Sequence, residues 1–283
     1  MEDLFEIAGC LSGQQVKAEN YRDEEGYLCC GKCHTRMECL SEFPITGRKD
    51  KLGRFIRPTP CRCRAEAIER RNAEDAERKH REKVRGLKNF CFTSPDLKHC
   101  RFENATKATP DVVRKAKRFV RDWETVKKKN CGLLHWGDCG TSKTFIAACI
   151  ANALMEQEIP VMMRNLSDFM SGSFEEREEL IRKLTSYPLV ILDDFGMERG
   201  TEYGLEIIFR VIDARYNSGK PTIITTNLTL NELKNPPDRA HKRIYDRILE
   251  MCIPVAFGSK SVRGELAAEK SRTMREVFEE EAY

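Results

Sequence analysis

Gly137-Asp138-Cys139-Gly140-Thr141-Ser142-Lys143-Thr144 matches G-x-x-x-x-G-K-[ST] at every position but one. Glycines in such a run let the loop turn tightly enough for several backbone N–H groups to converge on one anion. The N-terminus of a following helix adds partial positive charge. Lys143 brings a point charge to the β- and γ-phosphates of a nucleotide, and the Thr144 hydroxyl is a ligand for Mg²⁺. The eight residues are therefore expected to bind ATP. Ser142 stands where the motif has its last glycine, and a Cβ there narrows the space for phosphate and strains the turn. Cys139 lies within the loop, where oxidation of its thiol would disturb nucleotide binding.

A second acidic feature fits the same chemistry. Leu189-Val190-Ile191-Leu192 is a wholly apolar run, as in the central strand of a parallel sheet, and Asp193-Asp194 follows it directly. An acid at the tip of such a strand, beside a phosphate loop, is placed to hold Mg²⁺ through water, the role expected of Asp193. Asp194 is then the group that polarises the attacking water.

The chain has thirteen cysteines, seven of them within the first 63 residues. Cys30-Gly31-Lys32-Cys33 is a CxxC and Cys61-Arg62-Cys63 a CxC, separated by 27 residues that include Gly47, Gly53, Pro58 and Pro60. Four thiolates on two short knuckles suit tetrahedral Zn²⁺, and metal would supply much of the folding free energy of so small a unit. Cys29, Cys39 and His34 are replacement ligands. Cys30 to His34 also spells the c-type haem attachment pattern, which requires export, and no thioredoxin-like βαβ pattern surrounds the dithiol. Cys149 and Cys252 fall on apolar stripes and are expected in the core.

These sites need elements to carry them. From about residue 130 the pattern alternates between strand and helix. Strands are predicted at 132–136, 161–163, 189–192, 222–226 and 253–257. Helices are predicted at 144–155, 174–185 and 202–216, with Arg247 on a further helix before the last strand. Five strands with intervening helices make a doubly wound α/β domain. Residues 65–88 alternate in charge sign and contain almost no large apolar side chains, which predicts a solvated helix or linker; a basic helix contacting DNA is the rival reading. The predicted domains are a cysteine-rich zinc-binding unit at 1–64, a charged helical linker at 65–105 and the nucleotide domain at 106–283.

Composition narrows the class. Hydrophobic residues make up 40% of the 283, enough for a substantial core, and charged residues 33%. The net charge of +4 permits nucleic-acid contact without arguing for it. The first fifteen residues lack a basic region followed by an apolar run, and no apolar stretch reaches the roughly 18–20 residues of a membrane helix. A soluble intracellular protein with no membrane partner is expected.

The run from Leu133 to about Lys270 resembles the DnaC/IstB group of bacterial and phage AAA+ ATPases. LVILDDFGMERGTEYGLEIIFRVIDARYNSGKPTIITTNLT carries most of the likeness, through Asp-Asp-Phe-Gly, Ile212-Asp213-Ala214-Arg215-Tyr216 and the Thr-Thr-Asn-Leu-Thr strand end. The cysteine-rich front end is similar to that of DnaC-like replication proteins from phages and Gram-positive hosts. The resemblance implies an AAA+ P-loop domain with a five-stranded parallel sheet, in which strand 222–226 lies between the other two site strands. Asn227 then reaches the γ-phosphate as sensor 1. Arg247 resembles the arginine finger that enters a neighbouring subunit's site, and Arg263 the sensor 2 residue. Some AAA+ families carry Ser or Ala where Ser142 stands, and many have Glu where Asp194 stands, so Asp194 is a shorter base.

The implied function is ATP-dependent loading of a replicative DnaB-type helicase onto single-stranded DNA, with ATP, Mg²⁺ and Zn²⁺ as cofactors. Self-association in the ATP-bound state and a bacterial cytoplasmic location, in a phage or mobile-element setting, go with it. The alternatives are an IstB-type transposition helper and a nucleotide-binding adaptor that does not hydrolyse ATP.

Overall fold

Residues 19–41, 49–50, 52–106, 108–196, 202–258, 271 and 274 are described in the computed structural model of the chain. The chain divides into two units, residues 1–79 and 80–283.

The first unit has little to bury. Strand β1 (Tyr21–Arg22) pairs antiparallel with β2 (Leu28–Cys29), and β3 (Glu38–Leu40) with β4 (Ile56–Pro58). The β1–β2 turn closes where the Asp23 carboxylate accepts the Tyr27 N–H at 2.9 Å, with Gly26 at φ 89°. Among the described residues its buried apolar side chains are Tyr27, Cys29, Cys30, Ile56 and Cys61, a small core. Helix α1 (Arg62–Cys91) starts inside the CxC, a few residues before the predicted helix, because the Cys61 carbonyl accepts from Arg64 and Ala65 at 3.0 and 2.8 Å. Its thirty residues bury only Val84 and Cys91, so most of its surface is solvated, as its charge pattern requires.

The second unit is a layered α/β structure. Helices α2 (Pro110–Arg121) and α3 (Trp123–Lys129) lead into β5 (Gly132–Trp136) and α4 (Lys143–Met155). Then follow β6 (Val161–Asn165), α5 (Phe174–Ser186), β7 (Leu189–Phe195), α6 (Glu202–Ser218) and β8 (Thr222–Thr226). Helices α7 (Leu230–Lys234) and α8 (Arg239–Met251) precede β9 (Cys252–Ala256). The sheet is five-stranded and parallel, in the order β6-β7-β8-β5-β9, so β8 lies between β7 and β5. Helices cover both faces. Helices α2 and α4 pack on one side with Cys91, Phe92 and Cys100 from the stretch expected as linker, and α5, α6 and α8 pack on the other. In open sheets of this kind ligands sit at the carboxyl ends of the strands, where the order reverses.

Two features lay outside the sequence reading. Strand β7 does not stop at Leu192. Leu192 pairs with Ile224, then Phe195 with Thr226, so Asp193 and Asp194 together oppose Thr225 across a bulge. Arg215 is wholly buried and donates to the carbonyls of Leu184, Tyr187, Lys220 and Pro221 and to the Thr222 hydroxyl, at 2.6–3.1 Å. Burial lowers it to about 10. It ties the ends of α5 and α6 to the start of β8 with neutral partners only.

Candidate nucleotide site and metal centre

The Gly137–Thr144 loop leaves β5 at Trp136. Gly137 has φ +139°, and a Cβ there would lie 2.5 Å from the Phe257 carbonyl oxygen, so the loop begins against β9's exit with no room for a side chain. Phe257 N–H donates to the Trp136 carbonyl at 2.9 Å, closing that contact. Gly140 has φ +79° and Ser142 φ +70°, a conformation that favours glycine. Ser142 thus carries the strain its sequence position predicted, and its carbonyl accepts the first bond of α4, from Ile146 at 3.0 Å. Thr141 Oγ1 donates to the Asp138 carbonyl at 2.8 Å and braces the turn. Cys139 is exposed.

Lys143 is 5% exposed, and its Nζ donates to the carbonyls of Gly137 and Asp138 at 2.7 Å each. Burial pulls the ammonium below the usual lysine range, against the nearby charges of Cys139, Asp194, Asp138 and Asp193. The loop therefore bends around its own lysine.

Thr144 and Asp193, 49 residues apart, meet at the ends of α4 and β7: Thr144 Oγ1 donates to Asp193 Oδ1 at 3.0 Å. Thr225 Oγ1 donates to the same oxygen at 2.7 Å and accepts the Asp194 N–H at 3.0 Å. Burial raises the Asp193 carboxyl above the ordinary range, and the Thr225 and Thr144 hydrogen bonds pull it back. The Asp193 carboxylate and the Thr144 hydroxyl are oxygen donors of the kind a hard divalent cation takes. Asp194, at φ 58°, turns the other way and accepts from Asn165 Nδ2 at 3.3 Å. Asn227 is half-buried just past β8. Beneath the loop, His135 is buried, its ring 4.8 Å from that of Phe257, and burial pushes it down to about 4.

Arg247 lies on α8 and is engaged in its own chain. It pairs with Asp213 of α6 at 2.8 Å, its guanidinium sits 4.7 Å from the Phe209 ring centre, and its Nε is buried without a partner. Arg263 lies outside the described residues. The sequence reading missed Thr225, Asn165 and His135. Each reads as an ordinary strand residue until the sheet order brings it beside the loop or the acids.

In the first unit Cys30, Cys33, Cys61 and Cys63 converge, all four sulfurs lying within 4.8 Å of one another. Cys61 and Cys63 are 3.3 Å apart, Cys30 and Cys63 3.7 Å. Zinc–sulfur bonds of about 2.3 Å on a tetrahedron put sulfurs roughly 3.8 Å apart, so the set fits zinc. The crowded thiols cannot all ionise without a cation. A hydrogen bond from Thr35 lowers Cys33 to about 5, while the neighbouring Cys61 sulfur helps push Cys63 up to about 12. Thr35 Oγ1 lies 3.1 Å from Cys33 Sγ and accepts the Arg62 N–H at 2.9 Å, which links the two knuckles. The alternative ligands are placed elsewhere. Cys29 Sγ contacts Asp23 and the Tyr27 carbonyl, His34 Nδ1 pairs with the Tyr21 hydroxyl at 3.2 Å, and Cys39 lies on β3.

The family model for the IstB-like ATP binding protein matches residues 66–270. The phage-like element PBSX protein XkdC of Bacillus subtilis is 27% identical over 237 residues, 77% of this chain and 80% of that protein. The replicative helicase loader DnaI of the same organism is 28% identical over 200 residues, 64% of each chain. The replicative helicase loader DnaC of Escherichia coli is 26% identical over 164 residues, 54% of this chain and 64% of that one. The chain thus spans just under two thirds of the length of either loader. Among solved structures, the crystal structure of DnaI superposes with a TM-score of 0.52 at 20% identity, over 62% of this chain and 98% of that one, a likeness of fold.

Proposed function

The chain belongs to the IstB-like ATP binding protein family, and from that premise we propose that it is an ATP-hydrolysing loader of a hexameric replicative helicase. The observation that carries the reading is the convergence of Lys143, Thr144 and Asp193 at the mouth of one parallel sheet, held by the 3.0 Å Thr144–Asp193 bond. ATP lies along the loop Gly137–Thr144, its β- and γ-phosphates drawing Lys143 from the carbonyls it now holds. Thr144, and Asp193 through water, would hold Mg²⁺, which would supply positive charge beside the phosphates. Asp194 orients and deprotonates the attacking water, Asn227 senses the γ-phosphate, and Arg263 closes on nucleotide within the same chain. Arg247 serves a neighbouring chain's nucleotide after it leaves Asp213.

Two relatives named as helicase loaders support the choice of partner. In this reading single-stranded DNA is the second partner, and the protein works in the bacterial cytoplasm, encoded by a phage or mobile element as the XkdC likeness suggests. No helix among the described residues is long and apolar enough to cross a membrane. The zinc unit, with the exposed charges of α1 behind it, is the helicase-binding module. An IstB-type role in transposition remains the second reading, favoured by the family model itself.

Size-exclusion chromatography of the full chain with the host's replicative helicase tests the proposal. A complex that forms without ATP, and that Cys61→Ser weakens, supports it. A chain that ignores the helicase but associates with a transposase instead would move the assignment to transposition.

A further inference from the structure

Residues 110–130 concentrate charge. They hold eight lysines and arginines against Asp111, Asp122 and Glu124, a net +5 on a segment whose whole chain carries +4. Arg114, Lys117, Arg118 and Arg121 recur at three- and four-residue spacing and so share one face of α2. The opposite face, Val112, Ala116, Phe119 and Val120, is buried against α4. The basic face is open: the side chains of Arg114, Arg118 and Arg121 are 76%, 75% and 72% exposed. Their bonds to Asp111 and Asp122 are exposed pairs that contribute little and yield readily to a stronger anion. Lys127, Lys128 and Lys129 extend the surface along α3 and make no ion pair among the described residues.

We propose that this face of α2 and α3 binds the phosphate backbone of duplex DNA. It goes beyond the proposed function, in which single-stranded DNA is the partner, and does not depend on the helicase. Three observations select this partner. No large hydrophobic residue of the segment is exposed among the described residues, which removes the apolar anchor that a protein interface or a membrane surface needs. Among the described residues neither aromatic side chain of α2 and α3, Phe119 and Trp123, is exposed for unpaired bases to stack on, so single strands gain nothing special there. Contact is then electrostatic, and each neutralised phosphate releases more counterion from a duplex than from a single strand, about 0.9 against 0.7 per contact. The twelve residues of α2 span about 18 Å, which faces roughly five phosphates of one strand.

The test is fluorescence anisotropy with the full chain, a labelled duplex of roughly 25 base pairs and the matching single strand, across a salt series. One variant carries Arg114→Gln, Lys117→Gln, Arg118→Gln and Arg121→Gln. A second carries Lys127→Gln, Lys128→Gln and Lys129→Gln. A third removes as many cations from α1, through Arg64→Gln, Arg70→Gln, Arg71→Gln and Lys79→Gln. The first variant should lose at least about tenfold in duplex affinity near 0.15 M salt, with its log–log salt slope shallower by about 2–4. The second should lose affinity in proportion, the α1 variant should stay within about twofold of the parent, and ATP binding should be unchanged in all three. Unaltered duplex affinity and slope in the first variant would overturn the proposal. So would an equal loss in the α1 variant, a larger loss for the single strand than for the duplex, or loss of helicase association in place of DNA binding. Because nucleotide and helicase binding are measured on the same variants, failure here is separable from failure of the loader assignment.

Discussion

Thr225 Oγ1 donates to Asp193 Oδ1 at 2.7 Å while accepting the Asp194 N–H at 3.0 Å. One hydroxyl thus spans the bulge at which the two aspartates leave the β7–β8 register. Thr225→Val keeps the shape and removes both bonds, leaving a buried carboxylate short of one donor and an N–H without an acceptor. The expected cost is about 1–3 kcal/mol in denaturant unfolding. ATP turnover should fall by on the order of tenfold or more, with a smaller effect on ATP affinity, because the proposed roles of the misplaced groups are toward Mg²⁺ and water. Parental turnover and stability in the valine variant would show that the bulge stands without the hydroxyl.

His135 sets an acid limit on the second unit. Its folded value of about 4 lies below the ordinary 6.5, because burial favours the neutral ring. Between those values the unfolded chain takes up a proton that the folded chain refuses, so stability contributed above pH 6.5 is lost as pH falls towards 4. The separation corresponds to on the order of 3 kcal/mol, at about 1.4 kcal/mol per unit. His135→Leu should flatten the dependence of unfolding free energy on pH across that window. An unchanged slope would place the acid sensitivity elsewhere.

Zinc content separates the metal reading from a redox one. Protein purified without added metal should carry one zinc per chain, and Cys61→Ser or Cys63→Ser should lower that content sharply. A strong chelator should unfold the first unit, whose core is small, and leave ATP binding by the second intact. Thr35→Val should weaken zinc retention by about 10–100-fold, since Thr35 holds Cys33 and the Arg62 N–H together. Metal-free protein with a folded first unit would contradict the assignment.

Arg247 must give up Asp213 before it can serve another chain. Mixing Arg247→Ala chains with Lys143→Ala chains should restore part of the ATPase activity that each lacks, because each supplies the half-site missing from the other. Asp213→Asn should leave Arg247 freer and shift ATP-dependent self-association to lower protein concentration, by several-fold. No recovery in assemblies shown to be mixed would confine Arg247 to its own chain.

Much of the second unit was legible because its signals are local. The apolar run of β7, the glycines of the phosphate loop and the amphipathic helices each declare their element within a few residues. Strand β8 begins and ends where its Thr-rich pattern said, at Thr222 and Thr226. The convergence of the four cysteines was legible for the same reason, since CxxC and CxC are short spacings that bring two sulfurs together by themselves. What escaped depends on pairing between distant segments. Nothing near Thr225 says that it faces two aspartates 31 and 32 residues earlier, and nothing near Arg215 says that five acceptors surround it. The basic face of α2 was passed over because the net charge of the whole chain is small, and a sum hides a local concentration.

Helicase delivery to DNA is the direct measure of the central claim. The host's purified replicative helicase, a forked substrate whose single strand is covered by binding protein, and the full chain with Mg²⁺ and ATP make up the assay. Unwinding should depend on this chain. Lys143→Ala, which removes the charge facing the β- and γ-phosphates, should bind the helicase yet lower unwinding by at least about tenfold. Unwinding that proceeds equally well without the chain, or equally well with Lys143→Ala, would contradict an ATP-driven loader.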